Sequence, residues 1–88
     1  IPSGACIQGF VWREASAADH VCVTPDTRTR TAHQNQEASL HRLPNDPNTC
    51  MQGFVWREAL DGDIVCVTPG ERAQAADDNR QAASRVAH

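Results

Sequence analysis

Cys50-Met51-Gln52-Gly53-Phe54-Val55-Trp56-Arg57-Glu58-Ala59, followed by Val65-Cys66-Val67-Thr68-Pro69, decides the reading of this chain. The same words stand 44 residues earlier, as Cys6, the run Gln8 to Ala15, and Val21-Cys22-Val23-Thr24-Pro25. At that offset 14 of 19 positions agree over 6–24 against 50–68, but only 5 of 18 over 25–42 against 69–86. An internal repeat of this length has to be read one repeat at a time. The first part of each repeat has drifted less than the second.

Within a repeat the pattern is a hairpin and then a helix. Phe10, Trp12 and Glu14 alternate with Val11 and Arg13, the period of two expected of a strand, and Val21 and Val23 flank Cys22 in a second one. Ser16-Ala17-Ala18-Asp19 and Leu60-Asp61-Gly62-Asp63 supply the turns, with the better turn chemistry in the second. Thr24-Pro25 and Thr68-Pro69 open helices, Thr as N-cap and Pro in the first helical position; Glu71 completes a capping box with Thr68. The spacing predicts helices from Pro25 to about Arg42 and from Pro69 to about Val86. Pro44 and Pro47 make residues 45–48 a linker between repeats 1–44 and 49–88. Arg28, Ala32, Asn35, Ser39 and Arg42, and their counterparts Arg72, Ala76, Asn79, Ala83 and Val86, give each helix a narrow face of mostly small residues. Asn35 and Asn79 on that face are expected to bond exposed backbone groups of the hairpins.

The 88 residues carry 22% charged side chains and a formal net charge of -3, neither a disordered polyelectrolyte nor the concentrated positive face of a nucleic-acid binder. No stretch nears the roughly 20 apolar residues of a membrane span. Only 18 side chains are large and apolar, nine on each side of the linker, and so short a chain rarely builds a core worth more than ~3–5 kcal/mol unaided. Cys6, Cys22, Cys50 and Cys66 suit two disulfides and an oxidising compartment. The simplest pairing is within each repeat, Cys6–Cys22 and Cys50–Cys66, worth roughly 3 kcal/mol per loop; spacing alone leaves the cross-repeat pairings open. The chain opens on Ile1, which a removed secretory signal would explain.

Trp12, Arg13, Glu14, Trp56, Arg57 and Glu58 are the candidate binding residues. A solvent-facing Trp stacks on a sugar ring while Arg and Glu bond its hydroxyls. Against this, a chain so poor in apolar residues has reason to bury both Trp, and the Arg and Glu suit ion pairs with Arg28 and Arg72 or across the strand face. His33, Glu37 and His41 have a chelating spacing, but Arg85 stands at the counterpart of His41, so no metal site and no cofactor is assigned. Glu14 with Asp19, or Glu58 with Asp63, is a conceivable acid–base dyad. The chain lacks a nucleophile elbow, zincin helix or phosphate loop, and is too small for an enclosing pocket; it is not read as an enzyme.

The Trp-Arg-Glu-Ala and Val-Cys-Val-Thr-Pro blocks, with Arg72 and Asp78-Asn79, resemble a short tandem repeat found in predicted secreted proteins of soil-dwelling, GC-rich bacteria. The resemblance covers about residues 5–42 and 49–86. The first repeat departs from it, since Ser16-Ala17-Ala18 lacks the turn glycine and His33-Gln34-Asn35 replaces the acidic pair. The resemblance implies secretion and repetition, and nothing about ligands.

The expected fold is α+β, disulfide-stapled, with two β-hairpin–helix units in pseudo-symmetric packing through their helices. The leading function is a secreted, non-catalytic binding module for a glycan or extracellular protein, its paired hairpins forming a bivalent surface. The alternative is an extracellular structural subunit that assembles with its own copies into filaments or oligomers through strand edges. A protease inhibitor presenting Ala15–Asp19 or Leu60–Asp63 is a third; neither loop is braced by nearby Cys or Pro.

Overall fold

The structure, a computed structural model, describes residues 5–87. Ile1, on which the expectation of a removed leader rests, lies outside the described residues, as do residues 2–4 and 88.

The chain enters through a tight turn in which the Phe10 N–H donates to Ile7 O at 3.1 Å. Gly9 stands at φ 95°, as the third position of a type II turn requires. β1 (Val11–Trp12) then runs antiparallel to β2 (Cys22–Val23), Val11 opposite Val23 and Trp12 opposite Cys22. The strand is shorter than its alternation predicts, because Glu14 turns into the left-handed region at φ 57°. Thr24 caps α1 (Pro25–Gln36) by accepting from the Thr27 N–H, and a 3-10 turn, Ala38–His41, follows. The predicted span holds, but its last turn is tightened rather than α-helical.

Residues 43–48 are more than a spacer. β3 (Arg42–Leu43) pairs with β4 (Asp46–Cys50), Arg42 opposite Cys50 and Leu43 opposite Asp46, with a register shift between. The Asp46 carboxylate accepts from the Asn48 N–H at 3.2 Å and the Thr49 hydroxyl at 2.7 Å, local bonds that let a proline-bracketed segment close a hairpin. β5 (Val55–Trp56) and β6 (Cys66–Val67) repeat the first pairing, and Glu58 ends β5 at φ 53°. α2 (Pro69–Gln81) opens with the full capping box of Thr68 and Glu71, and closes through the 3-10 turn Ala82–Arg85. Among the described residues, two helices, three two-stranded antiparallel sheets and two disulfides make an α+β arrangement. The disulfides are Cys6–Cys22 and Cys50–Cys66.

The buried helix faces are not the predicted ones. Thr31 and Ala38, and Ala75 and Asp78, are the buried positions, whereas Ala32, Asn35, Ala76, Asn79 and Ala83 are exposed. Each helix is rotated by one residue, about 100°, from the small-residue face. The interior that receives them is small and polar: Cys22, Val23, Cys66, Val67, Ala38, Ala59 and Ala75, together with Arg13, Asp19, Arg57, Thr31 and Asp78. An apolar periodicity cannot report a face that buries Thr and Asp.

The two halves interlock. Arg13 Nη1 donates to Ala75 O of α2, and Arg57 Nη1 to the Gln34 side chain of α1 at 3.2 Å. The Met51 N–H donates to His41 O at 2.8 Å, while the Ile7 N–H donates to Arg85 O at 2.9 Å and the Ala87 N–H to Ala5 O at 2.7 Å. Cys6 thus bridges Val86 as Cys50 pairs with Arg42. The end of each half is bonded to the start of the other.

Candidate functional site

Arg13 and Arg57 are both 2% exposed. Arg13 Nε donates to Asp19 Oδ2 at 2.6 Å and Nη2 to Oδ1 at 3.2 Å; Arg57 meets Asp63 in the same bidentate way at 2.7 and 3.1 Å. Each carboxylate also gathers the hairpin turn, Asp19 accepting from the Ala15 and Val21 N–H groups and Asp63 from those of Ala59 and Val65. Burial alone would push the Asp19 carboxyl up. The Arg13 hydrogen bond, the Ala15 N–H, the Arg13 charge and the Val21 N–H outweigh it and hold the group below its ordinary value. These two arginines are interior struts, with neither guanidinium on the surface beside a Trp. The sequence reading missed the struts, although a signal was there: Asp19 and Asp63 agree while the four positions around them, Ala17, Ala18, His20 and Ser16, all differ from their counterparts.

Glu14 and Glu58 are about half exposed and turn outward, Glu14 pairing with Arg28 and Glu58 with Arg72, as the ion-pair reading expected. Neither conceivable dyad exists, since Glu14 faces a helix arginine and Asp19 an interior one. Beside each Glu–Arg pair lies a shallow groove. The first, of about 300 Å³, is lined by Cys6, Phe10, Val11, Trp12, Glu14 and Arg28. The second, of about 430 Å³, is lined by their counterparts Cys50, Phe54, Val55, Trp56, Glu58 and Arg72, with Asn48 and Thr49. Trp56 is 42% exposed and anchored by its indole N–H, which donates to Asn48 O at 3.0 Å. Trp12 is half-buried and stacks on His20, ring centroids 4.0 Å apart; Ile64 holds the corresponding place in the second half. Trp56 is therefore the more exposed indole, and Trp12 shares a face with an imidazole.

Asn35 and Asn79 do what their place in the sequence predicts, donating to Ala15 O at 3.1 Å and Ala59 O at 2.9 Å. His33, Glu37 and His41 do not converge: α1 ends at Gln36, and His41 stacks on Phe54 with centroids 4.1 Å apart. Among the described residues no three His, Cys, Asp or Glu side chains are grouped to hold a metal, and no helix is long and apolar enough to cross a membrane. No protein family matches the sequence, and neither a curated protein nor a solved structure matches the chain.

Proposed function

We propose that the protein is a secreted, non-catalytic glycan-binding module, built from two pseudo-symmetric repeats that present the same Trp–Glu–Arg groove twice. The observation that carries this reading is the strained backbone of Glu14 and Glu58. A non-glycine residue at positive φ is disfavoured, and Gly or Asn would hold the bend at lower cost. Both halves nonetheless keep Glu there, with its carboxylate out against a helix arginine and beside a Trp. Strain retained at an exposed polar group points to a use for that group.

In this reading Trp56, the more exposed indole, stacks on the apolar face of a sugar ring, while Glu58 and Arg72 bond its hydroxyls. Trp12, Glu14 and Arg28 form the weaker site, because a sugar there displaces His20. Two modest sites on one rigid body gain through effective concentration. The two disulfides are compatible with an oxidising, extracellular setting, and the resemblance to a secreted tandem repeat supports the same placement. The filament alternative has less to stand on, since the Ala5–Ile7 backbone is already paired with Arg85–Ala87 of the same chain.

Affinity electrophoresis in neutral and acidic polysaccharides tests the proposal. Retardation should fall most in Trp56→Ala, less in Trp12→Ala, and vanish in the double variant with the fold intact by circular dichroism. If no polysaccharide retards the protein, or the double variant migrates as the parent does, the glycan reading is wrong.

A further inference from the structure

A cavity of about 260 Å³ opens between α1 and α2, apart from both Trp grooves and sharing no residue with them. Arg30 and Thr31 of α1, Glu71 and Asp78 of α2, and the interior Arg13 and Arg57 line it. Most of the charge in that wall is already answered: Arg13 by Asp19, Arg57 by Asp63 and Asp78 by Arg85. Arg30 and Glu71 are not. Neither makes an ion pair among the described residues, although Glu71 accepts hydrogen bonds from Thr68 and Gln34. The cavity thus has a spare positive charge on one helix and a spare negative charge on the other. The negative side holds a further acceptor: Asp78 is 2% exposed, and its Oδ2 has no hydrogen-bond partner among the described residues. A buried carboxylate oxygen left so is costly unless something donates to it.

We infer that this cavity binds a small zwitterion, a free α-amino acid, with its carboxylate toward Arg30 and its ammonium toward Glu71 and Asp78. The volume falls below the ~300–1,000 Å³ of clefts that take drug-sized ligands, which favours a single amino acid over a peptide. A ligand bearing one charge would leave the opposite wall unanswered, whereas a zwitterion satisfies both with charge-assisted hydrogen bonds.

The test is an NMR titration of the intact, disulfide-bonded, 15N-labelled protein with glycine, L-alanine and L-glutamine, each beside its N-acetyl and its carboxamide form. Free amino acids of fitting size should give saturable amide shifts confined to residues 27–34 and 68–78, and their blocked forms should not. Arg30→Ala removes an exposed side chain and should weaken binding at least about tenfold; Asp78→Asn should weaken it as well. Trp56→Ala should leave these shifts unchanged, which separates this site from the glycan grooves. Absence of saturable shifts at millimolar concentrations would mean a cavity filled by water only and would overturn the proposal. Equal binding of the blocked forms, or full affinity in Arg30→Ala, would overturn it too.

Discussion

Asp19 accepts two hydrogen bonds from the Arg13 guanidinium and two from the backbone of its own turn, so one carboxylate ties a strand, a turn and the interior together. Asp63 does the same in the second half. Replacing such a carboxylate leaves a buried guanidinium unpaired, at a cost of about 3–5 kcal/mol. Asp63→Ala should lose that much in urea denaturation, and Asp63→Asn less, because its one amide oxygen keeps the bonds of a single carboxylate oxygen, either the Ala59 N–H with Arg57 Nε or the Val65 N–H with Arg57 Nη2. Equal losses would mean that the bonds kept contribute nothing. Acid should act through Asp19 in a definite sense. Its folded value lies below the ordinary 3.8, so its contribution is complete above about pH 4 and is withdrawn as the pH falls through the lowered value. Asp19→Asn should accordingly flatten part of the stability loss between pH 4 and pH 2; an unchanged slope would refute the assignment. At this scale the sequence was half legible. The invariance of Asp19 and Asp63 within a drifting turn marked them, but nothing marked Arg13 and Arg57 as interior, because Arg is among the side chains least often buried and does so only when paired.

The elements were more legible than the faces they bury. Thr-Pro placed both helix starts, and the turns Ser16–Asp19 and Leu60–Asp63 fell where they were expected, between paired strands that are shorter than the alternation predicts. The faces were missed because the buried positions are Thr31, Ala38, Ala75 and Asp78, which no apolar stripe distinguishes from the exposed Ala32, Ala76 and Ala83. The pairing within the linker was not legible for a different reason. Pro44 and Pro47 do stop the helix, but a proline at a strand edge does not prevent pairing, and Asp46 closes the hairpin with its side chain. The two caps offer a measurable contrast. Thr24 caps α1 through the Thr27 N–H, while Thr68 accepts from the Glu71 N–H and its own N–H donates to Glu71 Oε1 at 2.9 Å. Thr68→Ala and Thr24→Ala each remove a hydroxyl acceptor and should cost about 1 kcal/mol, whereas Glu71→Ala removes the reciprocal bond to the Thr68 N–H and should cost about 0.5–1.5 kcal/mol. Guanidinium denaturation of the three variants measures the losses, and no loss in Glu71→Ala would show that the reciprocal bond adds nothing.

Across the whole chain, stability is shared between halves in a way neither repeat predicts alone. Arg85, near the end of the second half, donates to Cys22 O at 3.1 Å and to Asp78 Oδ1 at 3.1 Å, and its guanidinium lies over the Phe10 ring at 4.9 Å. It therefore fastens the end of α2 to the first disulfide strand, beside the backbone bonds of Ile7 and Ala87. Removing it leaves Asp78 buried and short of its ionic partner, for a loss of about 3 kcal/mol. Because that contact spans the halves, the loss should fall on both. Trp12→Phe and Trp56→Phe each leave one indole as the reporter of one half, and each can be combined with Arg85→Ala. In the parent background the two fluorescence transitions should coincide, the mark of a single cooperative unit. With Arg85 replaced, both should move to lower denaturant together, the Trp12 reporter as far as the Trp56 reporter. A shift confined to the Trp56 reporter would mean that the second half melts by itself and that the interlocking bonds do not couple the two.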